Sequence, residues 1–179
     1  MIARIAPALL VVALVGCTAL GLYPRTLELP RESIERALAA RMPYTQRYAG
    51  LVEIELTRPR VALAAESNRI ATTFDVSLRT PFGRSTRGLW TLSGVPRYDA
   101  ESQSVRLDGA TVDALELDAL PASLAAEVKR LAERIAREVL AERALYTLKP
   151  EDLRFAGGAL EPVELRVVGD RLVVPLRPR

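Results

Sequence analysis

Apolar positions recur with two different periods along this chain, and the switches between them mark its elements. Ile34, Ala37, Leu38 and Met42 fall three and four residues apart, which places them on one helical stripe. Pro30 presets a first-turn backbone and Pro43 stops the run, so a helix is predicted over about Pro30 to Arg41. Leu27-Glu28-Leu29 before it reads as a short strand, and Tyr44 to Gly50 after it as a polar connection. The period then becomes two. Val52, Ile54 and Leu56 alternate with Glu53, Glu55 and Thr57, as in a strand with one dry and one wet face. Pro59 interrupts this strand, and Val61 and Leu63 resume its apolar face before a turn at Ala64 to Asn68.

The next strand, Arg69 to Arg79, carries Ile70, Thr72, Phe74, Val76 and Leu78 on one side. Thr80 to Arg84 is a proline and glycine turn. Ser85 to Val95 follows, with Gly88, Trp90, Leu92 and Gly94 on one face. Glycine inside a strand marks a bend or a close approach of another backbone, so this pair predicts a strongly curved sheet with room near Trp90. Val105 to Leu117 is a fourth strand, kinked near Gly109. From Leu120 to about Leu145 the period returns to that of a helix. Leu124, Val128, Leu131, Ile135 and Val139 form the apolar stripe, and charged residues including Glu133, Arg134, Arg137 and Glu138 the solvated side. The chain ends in a hairpin, Val163 to Val168 and Leu172 to Leu176 around Gly169-Asp170, with Pro175 marking an edge or a strand end. Helix, antiparallel meander, long helix and hairpin in that order predict one α+β domain with a long C-terminal-half helix against a curved sheet.

The N-terminal run has a different character. Arg4 precedes about eleven mostly apolar residues, Ile5 to Val15, then Gly16 and the only cysteine, Cys17. A positive start, a short apolar stretch and a small residue at the cut describe a secretory signal, and the run falls short of the ~20 residues a membrane span needs. Leu14-Val15-Gly16-Cys17 resembles a bacterial lipobox. That resemblance implies a signal peptide at 1–16, a lipidated tether at 17–26 and a domain at 27–179, hung from a membrane by acyl chains on Cys17. Two or more such chains make a lasting anchor. Thr18, in the place where aspartate retains enteric lipoproteins in the inner membrane, points to the outer membrane and a periplasm-facing domain.

Composition narrows the chemistry. At 49% hydrophobic and 26% charged the chain is a folding one, and a net charge of +3 without a basic run gives no nucleic-acid signature. There is no histidine, which excludes Ser-His-Asp and Cys-His catalysis and the commonest transition-metal ligand. With no second cysteine and no glycine-rich phosphate loop, neither a metal nor a cofactor is expected. Glu53 and Glu55 share a strand face and form the one carboxylate pair worth weighing. Their ordinary role is the wet side of a strand, and no catalytic residue is assigned.

Several stretches resemble the YceB-like bacterial lipoproteins, a family of unknown function. They are Leu27-Glu-Leu-Pro-Arg-Glu-Ser-Ile34, Phe82-Gly83, Val95-Pro96-Arg97-Tyr98-Asp99, Leu145-Tyr146-Thr147-Leu148 and Leu165-Arg-Val-Val-Gly-Asp-Arg-Leu-Val-Val-Pro-Leu176. The family is similar in fold to the tubular lipid-binding superfamily, in which a highly curved sheet wraps a long helix around an apolar groove. The resemblance implies a lipid or acyl-chain ligand and carries no catalytic residue. The groove would be lined by Phe74, Val76, Leu78, Trp90 and Leu92 from the sheet, with Leu124, Val128, Leu131 and Ile135 opposite. Those nine positions equally describe a closed core. The chain would then be a structural or accessory protein that binds an envelope partner through its surface.

Overall fold

The computed structural model describes residues 25–48, 52–79, 85–118, 128–137, 143–155 and 157–179. The lipobox, the tether to Pro24, the Thr80 to Arg84 turn and the stretches 119–127 and 138–142 lie outside these residues. The described chain is mainly β. β1 (Arg25–Pro30) and α1 (Arg31–Ala39) are followed by β2 (Tyr44–Tyr48), β3 (Val52–Ala64), β4 (Arg69–Arg79), β5 (Ser85–Asp99) and β6 (Ser104–Leu117). A helical segment α2 (128–137) precedes β7 (Tyr146–Thr147). The C-terminal strands are β8 (Arg154–Phe155), β9 (Gly158–Pro162), β10 (Arg166–Val168) and β11 (Arg171–Pro178).

This corrects the expected α+β architecture. Among the described residues there are two short helices and no long one, and the predicted Leu120 to Leu145 helix does not run through to Leu145. Residues 128–137 are helical, but Leu145 to Leu148 is drawn out against β6. The Leu145 N–H donates to the Val105 carbonyl at 2.7 Å and the Leu148 N–H to the Gln103 carbonyl at 2.9 Å. A sheet ladder thus claims backbone groups that a helix would have used internally.

β2 to β7 form one antiparallel sheet in sequence order, and β1, β11, β9 and β8 a second, with β10 also paired to β11. The inward face of the larger sheet holds Ile54, Leu56, Val61, Ile70, Phe74, Val76, Trp90, Leu92, Val105 and Leu107, all buried. Leu29, Leu172, Val174 and Leu176 of the second sheet, Ile34 and Leu38 of α1, and Ile135 and Ala136 of α2 join the same core. All of these elements lie between Arg25 and Pro178, so the chain from Cys17 onward carries everything the described fold packs.

Irregularities bend the strands at the two places the sequence signalled, Pro59 and Gly109, and at a third, Asp113, that it did not. At Pro59 the register of β3 against β4 slips between Thr57 and Arg60, so two residues oppose one, and Arg58 sits at φ 48°. β6 bulges twice against β5, once at Gly109 (φ 57°) and once at Asp113. α1 docks on β3, where Glu35 Oε2 accepts the Val61 N–H at 2.9 Å just after the bulge. Its first N–H, that of Arg31, donates to the Asp170 carbonyl at 3.1 Å, so the terminal hairpin turn caps the helix. Asn68, in the β3–β4 turn, ties the two sheets together. Its Oδ1 accepts the Val167 N–H at 2.8 Å, and its Nδ2 donates to the Leu165 carbonyl at 3.1 Å.

Two smaller expectations change. Tyr44 to Tyr48 is the edge strand β2, not a connection. β11 is an inner strand, with β1 on one side and β10 and then β9 on the other. Pro175 is tolerated there because it falls where the partner changes. Arg166 still pairs Val173 and Pro162 pairs Leu176, while the Pro175 carbonyl accepts the Val163 N–H at 3.0 Å.

Candidate functional site

The inner face of the large sheet is closed over part of its length and open at one end. The open end is a pocket of about 440 Å³, floored by Leu56 of β3, Phe74 of β4 and Leu92 of β5. Its walls come from the C-terminal end of α1 and the chain after it (Leu38, Arg41, Met42, Tyr44) and from Arg143, Ala144 and Leu145. The size is that of a small-molecule site, roughly 300–1,000 Å³, and the floor is apolar, as such sites usually are.

Polar groups gather at its rim. Arg41 Nη1 donates to the Ala144 carbonyl and Arg41 Nη2 to Thr147 Oγ1 at 3.1 Å, which pins the wall segment to the end of α1. The Arg143 guanidinium lies over the Tyr44 ring, 4.2 Å from its centre. Neither arginine has an ion pair among the described residues.

Of the nine expected groove residues, Phe74 and Leu92 line this pocket. Val76, Trp90 and Ile135 are sealed in the core, Leu78, Val128 and Leu131 are half-buried, and Leu124 lies outside the described residues. The space expected beside Trp90 is taken by β6. A Cβ on Gly88 would collide with the Glu116 carbonyl, with Leu117 Cα at 2.9 Å, and one on Gly94 would meet Leu107 Cβ at 2.8 Å. The glycines are there for close strand approach, and Trp90 is 2% exposed. Its indole Nε1 and the Thr72 Oγ1 on the same face are buried without hydrogen-bond partners among the described residues. Sequence reasoning missed Leu56 and both rim arginines. Leu56 sat on a recognised apolar face, but nothing in the spacing joins it to Arg41 or Arg143.

Several carboxylates on the two sheets are paired with arginines. Glu53 pairs with Arg47 at 2.9 Å and Arg79 at 3.7 Å, and Glu55 with Arg79 at 3.6 Å, so the two carboxylates are engaged along the strand face. Asp75 is held by Arg58 and, at 2.9 Å, by Arg60, the residues flanking Pro59 in the β3 bulge. Burial works to raise the pKa of Asp75, but the hydrogen bonds from Arg60 and Arg58 outweigh it and hold it below its ordinary value. On the outer face Arg69 donates to Ser93 and Thr111, and Ser93 and Thr111 donate to Asp113 at 3.0 and 3.1 Å, filling the second β6 bulge. A second hollow, about 510 Å³, lies against β9 and the end of β11. Its Glu161 is already paired to Arg177 at 2.7 Å and Arg179 at 3.6 Å, and burial raises the pKa of the neighbouring Tyr98 phenol.

Among the described residues no cluster of three acidic or sulfur ligands is placed to hold a metal, and no helix is long and apolar enough to cross a membrane. The chain matches none of the curated proteins. The model of a family described as a protein of unknown function, DUF1439, matches residues 31–171, from the first residue of α1 to the first of β11. That is consistent with the YceB-like resemblance, and over so much of its length it makes the chain a member of the DUF1439 family.

Proposed function

We propose that this is a non-catalytic envelope lipoprotein, anchored through Cys17, that binds a lipid or other hydrophobic ligand at the open end of its sheet. The observation that carries the ligand reading is the 440 Å³ pocket floored by Leu56, Phe74 and Leu92. An apolar hollow left among side chains that elsewhere close into a core loses contacts, and a ligand restores them. The pocket lies beside α1 and not along a long helix. The lipid reading therefore rests on the pocket itself and not on the tubular lipid-binding architecture that the sequence resemblance implies. The test is native mass spectrometry of the unlipidated chain from Cys17, purified without detergent, with lipid extraction of the same sample. A one-to-one lipid adduct that disappears on denaturation supports the reading, and a clean apo mass that takes up no added lipid overturns it.

A second reading has its own observation. Phe155, Val163 and Val168 of the smaller sheet and its connections are 56%, 54% and 56% exposed, and Val163 joins Val95 beside a shallow hollow of about 280 Å³. Exposed apolar side chains near short strand edges suit an envelope protein partner. Capture of one stoichiometric partner by a chain without lipid favours this reading.

A further inference from the structure

The pocket floored by Leu56, Phe74 and Leu92 is apolar below and cationic at its mouth. Arg41 and Arg143 both line it, both are exposed, and neither is neutralised by a carboxylate among the described residues. The Glu53, Asp75 and Glu161 carboxylates, by contrast, each hold two arginines. The two rim guanidiniums are also positioned. Arg41 spends one donor on Ala144 and one on Thr147, leaving three of its five N–H groups, and the Tyr44 ring supports the plane of Arg143. Fixed guanidiniums with free donors next to an apolar wall suit an anion whose oxygens accept in pairs. A pocket of about 440 Å³ has room for one acyl chain and not for a two-chain lipid.

We infer that the pocket takes a single-chain amphiphile with an anionic head, its chain over Leu56, Phe74 and Leu92 and its carboxylate or phosphate between Arg41 and Arg143. This rests on the ligand-binding reading above and adds the charge and chain number of the ligand. A neutral head would leave both guanidiniums without a counter-charge from the described residues at the edge of a low-dielectric hollow, where such a charge counts most.

Three probes with the same oleoyl chain test it on the unlipidated chain from Cys17: oleate, oleoyl lysophosphatidate and the uncharged monoolein. Both anions are expected to bind one-to-one and monoolein at least about tenfold more weakly, the scale of one charge-assisted contact. Arg143→Gln, which disturbs no described hydrogen bond, should weaken both anions about tenfold and leave monoolein unchanged. Arg41→Lys, which keeps the charge but loses the paired donors, should weaken the two anions less than Arg41→Gln does. The ratio of oleate to lysophosphatidate tells a carboxylate from a phosphate head, and either order supports the inference. Monoolein binding as tightly as oleate, or Arg143→Gln and Arg41→Gln leaving oleate affinity intact, overturns the charged head while the apolar pocket stands. A dimer mass that excludes the probes puts a second copy in the pocket and also overturns it. If none of the three binds, the ligand-binding reading falls with it.

Discussion

Phe74 and Trp90 face each other directly across β4 and β5, yet one lines an open pocket and the other is sealed. The boundary between cavity and core therefore runs between two paired residues of adjacent strands. Trp90→Ala should cost about 3–5 kcal/mol, the usual range for emptying a large buried aromatic site. Phe74→Leu should cost less, about 1–2 kcal/mol, because leucine keeps most of the apolar volume and the lost part adjoins an existing pocket. Urea unfolding of both variants checks this. Equal large losses would mean that the pocket is closed in solution.

Two glycines separate close approach from backbone conformation. At Gly88 a methyl group would run into the Glu116 carbonyl, which is backbone and cannot swing aside. At Gly109 nothing lies within 4 Å of the added carbon, but φ is 57°. Gly88→Ala should disrupt β5–β6 pairing and cost at least the ~1–3 kcal/mol typical of overpacking. Gly109→Ala should cost about 1–2 kcal/mol from the left-handed backbone alone, and Gly109→Asn noticeably less. A Gly109→Asn variant no better than Gly109→Ala would remove backbone strain as the cause.

The meander was readable because its strands have one dry face. Ile70, Thr72, Phe74 and Val76 are buried while Ala71, Thr73, Asp75 and Ser77 are not, so burial repeats the sequence alternation. β2 escaped notice because it is an edge strand whose middle residues, Thr45, Gln46 and Arg47, are exposed, leaving no apolar period to detect. The long helix was overread for the opposite reason. The apolar stripe is carried on to Leu145, which is buried, but its N–H bonds to the Val105 carbonyl, 40 residues earlier. No local spacing encodes that choice. The pocket is likewise assembled from α1, three strands and the 143–145 segment, so its floor was legible in part and its rim not at all.

The Asp75 pair makes a definite prediction about acid. Its carboxyl, 20% exposed, titrates below its ordinary 3.8 because Arg60 and Arg58 outweigh the effect of burial. A depressed folded-state pKa contributes stability that is present above the unfolded value and is lost as pH falls through the folded one. The stability difference between the protein and Asp75→Asn should thus be full at pH 7 and shrink from about pH 4 downward. Urea midpoints at pH 7, 4 and 3 measure it. A difference that grows on acidification would contradict the assignment.

Ala144 offers a way to close the pocket without emptying the core. Its carbonyl holds Arg41, a backbone contact that survives a change of side chain, and the residue lines the pocket. Ala144→Phe should fill free space, change stability by within about 1.5 kcal/mol, and abolish lipid uptake in the native mass spectrum. Undiminished uptake would place the ligand elsewhere.

The proposed anchor is tested independently of the pocket. Cys17 is the only thiol in the chain and ends the Leu14-Val15-Gly16-Cys17 stretch, so Cys17→Ala removes the one atom that can be acylated there. Acyl burial contributes roughly 0.8 kcal/mol per methylene, enough for two chains to hold the protein on a membrane indefinitely. Without the thiol, cleavage before residue 17 should fail, because lipoprotein processing needs the modified cysteine. The product should keep its signal residues, lack the acyl mass, and leave the fraction in which the native protein is found. Folding should be unaffected, since every described element begins at or after Arg25. A Cys17→Ala chain of unchanged intact mass, apart from the substitution, in the same membrane fraction would mean that the protein reaches its membrane without this lipid.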